Sequence, residues 1–390
     1  MLEYHPPPSA FSATSLPLVV DLDGTLIKTD LLAETASKFL LEQPHCFYKL
    51  VLWLVEGKSV LKSRLVDSTN IDVATLPYNK QLLTWLRAEK AQGRRIVLAT
   101  ASHRVLADQV AVHLDLFDEV LATDETTNLK ANAKRDALVS RFGTGGFEYV
   151  GNDWSDVSVW QSAAKAHVVS NSSRLIEKAR SHGNLGVVMG DSKPPLAIAL
   201  LKAMRPHQWL KNLLVFIPLM AAHQYIYVSS IMQALLAFFI FSLTASSIYL
   251  LNDLVDVSDD RQHARKRTRP FACGDLGLLY GWVAWPALLI LAFMLAGPLL
   301  FLSNSFIAIM GIYFVLTVAY SLRLKQVPIV DVLTLAILYT SRPKRLAGGC
   351  RSAQTFSMDK NVSTSATPIS RGCRIPPGWV ALQRMKKRIQ

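Results

Sequence analysis

Apolar positions follow two regimes along the chain. Up to residue 190 they come as short runs, PLVVDLDGT (17–25), RRIVLATAS (94–102) and FEYVGND (147–153), each closing on acids, Gly, Ser or Thr. Such runs read as buried strands emptying into tight loops. Between them lie helical patterns: LLAETASKFLLEQ, FYKLVLWLVEGKSVLKSRLV and YNKQLLTWLRAEKAQG within 27–96, then KANAKRDALVSRFG at 130–143. Strands alternating with helices predict an α/β domain over 1–182. Its most apolar helix, Phe47–Val55, is expected to pack into a core rather than against lipid. A Gly-, Ser- and Pro-bearing stretch, 183–196, reads as a linker.

Beyond it the pattern changes. Residues 228–251, 277–302 and 303–322 are each twenty or more residues without a charged side chain, long enough to cross a hydrocarbon core of roughly 30 Å. Asn212–Val228 predicts a shorter span and Gln326–Ser341 the opening of a fifth. The loop RQHARKRTRP holds five basic residues and SLRLK two more, whereas the turns on the opposite side hold none. This asymmetry predicts an integral membrane protein with the N-terminal domain, Arg205, Lys211 and both basic loops on the cytoplasmic side.

Composition agrees. Of 390 residues, 51% are hydrophobic and only 18% charged, too apolar for an ordinary soluble enzyme and inconsistent with disorder over most of the length. The formal charge is +13, but residues 342–390 carry eleven Lys/Arg against one acid, so about ten of those charges sit in the tail. The body has no nucleic-acid surface, and no nucleic-acid partner is expected. The cysteines (46, 273, 350, 373) show neither metal spacing nor a disulfide framework. The N-terminus has no basic or apolar segment of a signal peptide.

The first candidate chemistry is Asp21-Leu22-Asp23-Gly24-Thr25. Two carboxylates two residues apart at a strand's C-terminal end can share one crevice, where open α/β sheets place ligands. One could attack phosphorus while the other handles the leaving-group proton; as a solvated turn the pair would be unremarkable. With Thr100 closing the second strand, Lys130 and Lys134 at a helix start, and Asn152, Asp153 and Asp156 after the last strand, residues 16–175 resemble the haloacid dehalogenase superfamily of phosphohydrolases. The resemblance implies a Rossmann-like fold with a helical cap over about 27–96. Asp21 would be the nucleophile, Asp23 the general acid/base and, with Asp21, a Mg²⁺ ligand. Thr100 would bond the phosphoryl group, and Lys134, or Lys130 in its place, would neutralise it. Asn152 stands where the family commonly has Asp, leaving Asp153 and Asp156 as the metal-binding acids.

The second candidate is SIYLLNDLVDVSDDRQHARKRTRP, at the end of the second span. Asn252, Asp253, Asp256 and Asp260 are spaced to share one helical face. Carboxylates at a membrane boundary are costly unless neutralised. Mg²⁺ bound to a diphosphate would neutralise them, with Arg265, Lys266 and Arg269 alongside; pairing with those bases alone is the plainer alternative. The motif resembles the UbiA-type intramembrane prenyltransferase superfamily. MRPHQWLKNLLVFIPLM (204–220) and YSLRLKQVPIVDVLTLA (320–336) resemble its branch containing decaprenyl-phosphate phosphoribosyltransferases. That resemblance implies phosphoribosyl diphosphate as donor and a polyprenyl phosphate as acceptor. Arg205, Lys211 and Lys325 become candidates for anionic substrate groups, or simply interfacial anchors. Prenyl transfer from a prenyl diphosphate to an aromatic acceptor uses the same motif, and a non-catalytic membrane-anchored binding module is a third reading. The fused phosphatase would remove the phosphate from the transferase product.

The resemblance covers 197–340. It implies further spans and a second acidic motif, but membrane composition ends at Leu338-Tyr339. The basic, Ser/Thr/Pro-scattered stretch 341–390 reads as a frameshifted or truncated end rather than a polybasic lipid-binding tail. The transferase half of such a chain would be defective.

Overall fold

The computed structural model describes residues 16–123, 129, 131–190, 193–300 and 311. The chain divides into a first unit, Met1–Ala347, and a second, Gly348–Gln390, that lies wholly outside the described residues. Lys130, Lys325, the spans expected at 303–322 and 326–341, and the tail all fall outside them too, apart from Gly311.

Six parallel strands form one sheet in the order β3-β2-β1-β4-β5-β6. They are β1 Leu18–Val20, β2 Ile96–His103, β3 Glu119–Thr123, β4 Glu148–Gly151, β5 Lys165–Val169 and β6 Leu185–Met189. Alternation along β1 sends Leu18 and Val20 to one core with Ile96, Leu98 and Val150. Val19 goes to the other with Val97, Tyr149 and Trp160. Burial on both faces is what a parallel sheet covered by helices requires. Strand order reverses at β1, so a crevice opens at its carboxyl end between β2 and β4.

The helices of this half are α1 Leu31–Glu42, α2 Phe47–Glu56, α3 Lys58–Ser68, α4 Lys80–Ala91, α5 Arg104–Leu114, α6 Asn132–Phe142, α7 Val157–Trp160 and α8 Ser173–Arg180. Three expectations change. Helix α4 belongs to the sheet and not to a cap, because Leu82, Leu83 and Leu86 pack in the core of Leu18 and Ile96; the cap is α1–α3 and the turn that follows. The stretch read as linker contains β6, whose apolar residues extend the ladder from β5 through Val168↔Val188 and Val169↔Met189. And α2 buries none of its residues. Only Leu50 and Trp53 lean on Phe39, Cys46, Leu61 and Leu65, so the core-packing expectation for Phe47–Val55 fails.

The second half begins with α9 Leu196–Met204, a 3-10 run over Pro206–Phe216 and the short α10 Ile217–Ala221, followed by α11 Val228–Val255, α12 Val257–Gln262 and α13 Leu278–Leu300. Two stretches are long and apolar enough to cross a membrane, Val228–Val255 and Leu278–Gly297. They match two of the expected spans. The expected span 212–228 is not one helix: the chain leaves the 3-10 run, makes little more than one α-helical turn and bends at His223 in the left-handed region. Small residues let α11 and α13 approach, with Ala237, Ala292 and Ala296 buried between them and Ser247 Oγ donating to Trp285 O at 2.7 Å.

Candidate functional site

The loop after β1 is set by backbone bonds. Asp21 N donates to Val150 O, and Leu26 N and Ile27 N both donate to Leu22 O. Gly24 adopts φ +76°, and a Cβ there would stand 2.4 Å from Asn152 Nδ2. Only glycine allows the DxDGT loop to lie this close to the loop after β4.

Asp21 is buried and its Oδ1 accepts from Lys134 Nζ at 2.6 Å. The same ammonium donates to Tyr149 OH at 3.0 Å, and Tyr149 OH donates to Asp156 Oδ1 at 2.9 Å. Asp156 Oδ2 accepts from the backbone N–H groups of Asn152 and Asp153. Asp23 Oδ1 accepts from Leu31 N at 2.9 Å, the first amide of α1; its Oδ2 accepts from Ser102 Oγ at 2.5 Å and Thr100 Oγ1 at 3.4 Å. Thr25 Oγ1 donates to Asn152 Oδ1 at 3.0 Å.

These contacts revise the predicted roles. Asp21, Asp23, Thr100 and Lys134 converge. Asp156 gives one oxygen to Tyr149 on β4 and the other to the amides of Asn152 and Asp153, and Asp153 is exposed, accepting from Ser155. Asn152, the departure from the family pattern, lies against Gly24 and Thr25 instead. Ser102 and Tyr149 were not anticipated. Ser102 could have been, since it stands two residues past Thr100 and strand alternation returns it to the same face; nothing local marks Tyr149.

Burial pushes Asp21 up to about 7, with Lys134 opposing and Asp156 adding to the rise. Burial also pushes Asp23 up to about 6, assisted by Asp30 and opposed by its bonds to Ser102 and Leu31. For Lys134 burial works against the charge, but Asp21 and Asp156 outweigh it, so its value is raised and the lysine stays protonated. The crevice is short of positive charge. Buried Asp21, half-buried Asp23 and the Asn152 amide suit a hard, oxygen-seeking divalent cation, although among the described residues no three His, Cys, Asp or Glu side chains are gathered into a ready-made metal site.

The second cluster lies at the end of α11. Asp256 N bonds Asn252 O and Asp260 N bonds Asp256 O, so helical stacking continues from α11 into α12. Asp253 and Asp260 are buried. Asp253 Oδ1 accepts from Arg205 at 2.6 Å and Arg269 at 3.2 Å; Asp260 Oδ2 accepts from Arg269 at 2.6 Å, with Lys266 at 3.8 Å from Oδ1. Lys266 and Arg269 thus meet the acids as the plainer reading expects, joined by Arg205, which that reading did not include, while Arg265 and Lys211 lie exposed with no ion pair among the described residues. Pairing is incomplete: Asn252 Oδ1, Asp253 Oδ2 and Asp260 Oδ1 are buried without a hydrogen-bond partner among the described residues. Orphaned oxygens of this kind demand an explanation, and a cation carried by a diphosphate would supply one.

The two clusters are physically connected. Glu34 on α1 grips Arg261 on α12 through both carboxylate oxygens, at 2.5 and 3.2 Å. Trp282 Nε1 donates to Ser37 Oγ at 2.9 Å. A Cβ at Gly274 would lie 2.6 Å from Lys28 Cβ.

Comparison with known proteins gives two matches: residues 18–141 to the haloacid dehalogenase-like hydrolases and 212–344 to the UbiA prenyltransferase family. An uncharacterized protein of Sinorhizobium fredii is 33% identical over 327 residues, covering 84% of this chain and 63% of its own length. A decaprenyl-phosphate phosphoribosyltransferase of Mycobacterium tuberculosis is 34% identical over 164 residues, 40% of this chain and 53% of the relative. The nodulation protein NoeC of Azorhizobium caulinodans is 38% identical over 148 residues, 36% of this chain and 45% of the relative. The chain spans between about half and two thirds of the length of these relatives.

Proposed function

The chain joins a haloacid dehalogenase-like domain to a UbiA prenyltransferase-family domain, and from that premise we propose that it couples phosphoribosyl transfer at a bacterial inner membrane to phosphomonoester hydrolysis. The membrane domain moves a phosphoribosyl group from phosphoribosyl diphosphate to a polyprenyl phosphate. The fused domain, on the cytoplasmic side, then removes the phosphate left on the ribose, at the high effective concentration that tethering provides. The name of the mycobacterial relative supports the donor and acceptor; the buried acids at the end of α11, with three orphaned oxygens, support a diphosphate site.

The observation that carries the hydrolytic step is the contact of Asp21 and Lys134 at 2.6 Å beside Asp23. Ionised Asp21 attacks phosphorus, forming an acyl phosphate as the P–O ester bond breaks. Asp23, entering this step protonated, gives its proton to the leaving alkoxide. Asp23 then takes a proton from the water that attacks the acyl phosphate, and inorganic phosphate leaves. Lys134 holds positive charge beside the nucleophile, and Thr100 and Ser102 keep Asp23 in place. Mg²⁺, held by Asp21, Asp23 and the Asn152 oxygen, would supply further neutralisation of the phosphoryl oxygens.

The test is product analysis on the full chain in lipid nanodiscs with Mg²⁺. Radiolabelled phosphoribosyl diphosphate plus decaprenyl phosphate should yield a lipid-linked ribose, first phosphorylated and then free of phosphate; phosphomonoester hydrolysis without any lipid-linked ribose would match the defective transferase half expected from the stretch 341–390. Product only from prenyl diphosphate and an aromatic acceptor would replace this reading with prenyl transfer. No turnover of any donor pair or phosphomonoester would leave the anchored binding module, which the Arg205 and Arg269 pairings favour.

A further inference from the structure

We propose that α2 of the cap is a membrane-surface helix whose exposed apolar face rests in the lipid headgroup boundary. Six of its ten residues are large, apolar and exposed: Phe47, Tyr48, Val51, Leu52, Leu54 and Val55, the last at 82%. Elsewhere in the α/β half such residues are scattered singly, as Val105, Val112, Trp154 and Val188, which needs no explanation. A contiguous set on one short helix does need one. The opposite side of α2 is satisfied, because Trp53 packs on Phe39 with ring centroids 5.3 Å apart and Leu50 joins the same cluster. The helix is therefore a finished part of the cap, with one face left over.

The position of α2 identifies the occupant. It follows α1 after only residues 43–46, and α1 is fixed to the membrane half. Ala33 shares a core with Leu254 at the end of α11 and Leu278 at the start of α13, and Ser37 accepts from Trp282 in the opening turns of that span. The level of α1 is thus the boundary where both spanning helices emerge. Helix α9 lies at the same boundary, with Ala199 and Ala203 in that core and Leu196, Ile198 and Leu201 turned outward. Two helices expose apolar residues around one end of the span pair, and bilayer lipid is the partner common to both. Charge does not oppose this placement: α2 carries one basic and one acidic residue, Lys49 and Glu56, and Lys58 opens α3. Tyr48 suits the same level.

With the cap on the lipid surface, the crevice at Asp21 faces phosphomonoesters borne by lipid. That consequence rests on the hydrolytic reading above; the placement of α2 does not.

The test uses the full chain with p-benzoyl-phenylalanine in place of Val55, in nanodiscs of equal parts phosphatidylglycerol and phosphatidylethanolamine. Irradiation should give protein whose mass is increased by one phospholipid. The same probe in place of Val112, equally exposed on α5, should give no such adduct. A covalent dimer through position 55, or lipid adduct no greater at 55 than at 112, would overturn the proposal. The readout is covalent and independent of turnover, so an inactive phosphatase leaves it intact.

Discussion

The two acidic clusters are built from the same residue types and balanced in opposite ways. At the end of β1 one lysine faces Asp21 directly, with Asp156 and Asp23 near enough to add to its charge. At the end of α11 two arginines and a lysine surround two buried aspartates. The first site lacks positive charge, and its carboxylates rise toward neutrality; the second is already neutralised on one side and leaves oxygens unmatched on the other. The difference indicates how each meets a ligand. The first takes a cation into a standing vacancy of charge, whereas the second must exchange partners. An incoming diphosphate would draw Arg205 and Arg269 toward its phosphates and free Asp253 and Asp260 for the accompanying metal.

The strongest way to break the comparison is Asp21→Asn, which removes the nucleophile but keeps the shape. Phosphomonoesterase kcat/KM should fall by about 10³-fold or more. Asp153→Asn should stay within about twofold, since that side chain is exposed and accepts from neighbours in its own turn. Equal losses in the two variants would mean that the loop after β4, not Asp21, governs turnover. At the membrane cluster Arg269→Ala uncovers two buried carboxylates at once and should destabilise that half by about 3–5 kcal/mol, read from thermal unfolding of the reconstituted chain. Adding Asp260→Asn should restore part of the loss; strict additivity would deny that the pair interacts.

How far the sequence could predict this arrangement varied with the range of the interaction. Strand ends, the DxDGT loop and the acid spacing on α11 are local patterns, and the structure forms them where the patterns stand. Sequence reasoning went wrong where a partner lies far along the chain. Phe47–Val55 has the composition of a core helix, yet no core lies on its outer face. The stretch 183–196 has linker residues at its ends and a strand between them, because β5 offers an open edge. Glu34 and Arg261 are 227 residues apart, and no local pattern could join them.

A smaller effect sharpens the contrast between a site poised for ligand and an ion pair that only holds the fold. Glu148 is buried too, but Arg94 and His167 bond it at 2.6 and 2.9 Å. Burial opposes its charge, but these partners prevail and hold it down at about 2 against an ordinary 4.5. A carboxyl depressed on folding stabilises above its unfolded value and loses that contribution as pH falls from about 4.5 toward 2. Melting temperature measured from pH 6 to pH 3 should therefore drop more steeply for the wild-type chain than for Glu148→Gln. Parallel curves would show that Glu148 is not the group titrating.

The smallest effect tests whether the two clusters communicate. Helix α1 begins at Leu31, whose amide holds Asp23 Oδ1, and one turn later presents Glu34 to Arg261 beside Asp260. The acid/base of one site and the acidic motif of the other are thus bonded to a single rigid element. Glu34→Gln keeps the shape and one hydrogen bond but gives up the ion pair, at a cost of about 1–2 kcal/mol. If α1 positions Asp23, phosphatase kcat should fall by about 3–10-fold with KM little changed, because the proton transfer is disturbed and not the binding of the ester. Exchange of α1 amide hydrogens should quicken in step. Arg261→Gln should reproduce both changes, since it loosens the same bond from the other side. A loss of kcat in Glu34→Gln without faster α1 exchange would place the effect inside the cap. Faster exchange without any loss of kcat would show that Asp23 is held by Thr100 and Ser102 alone.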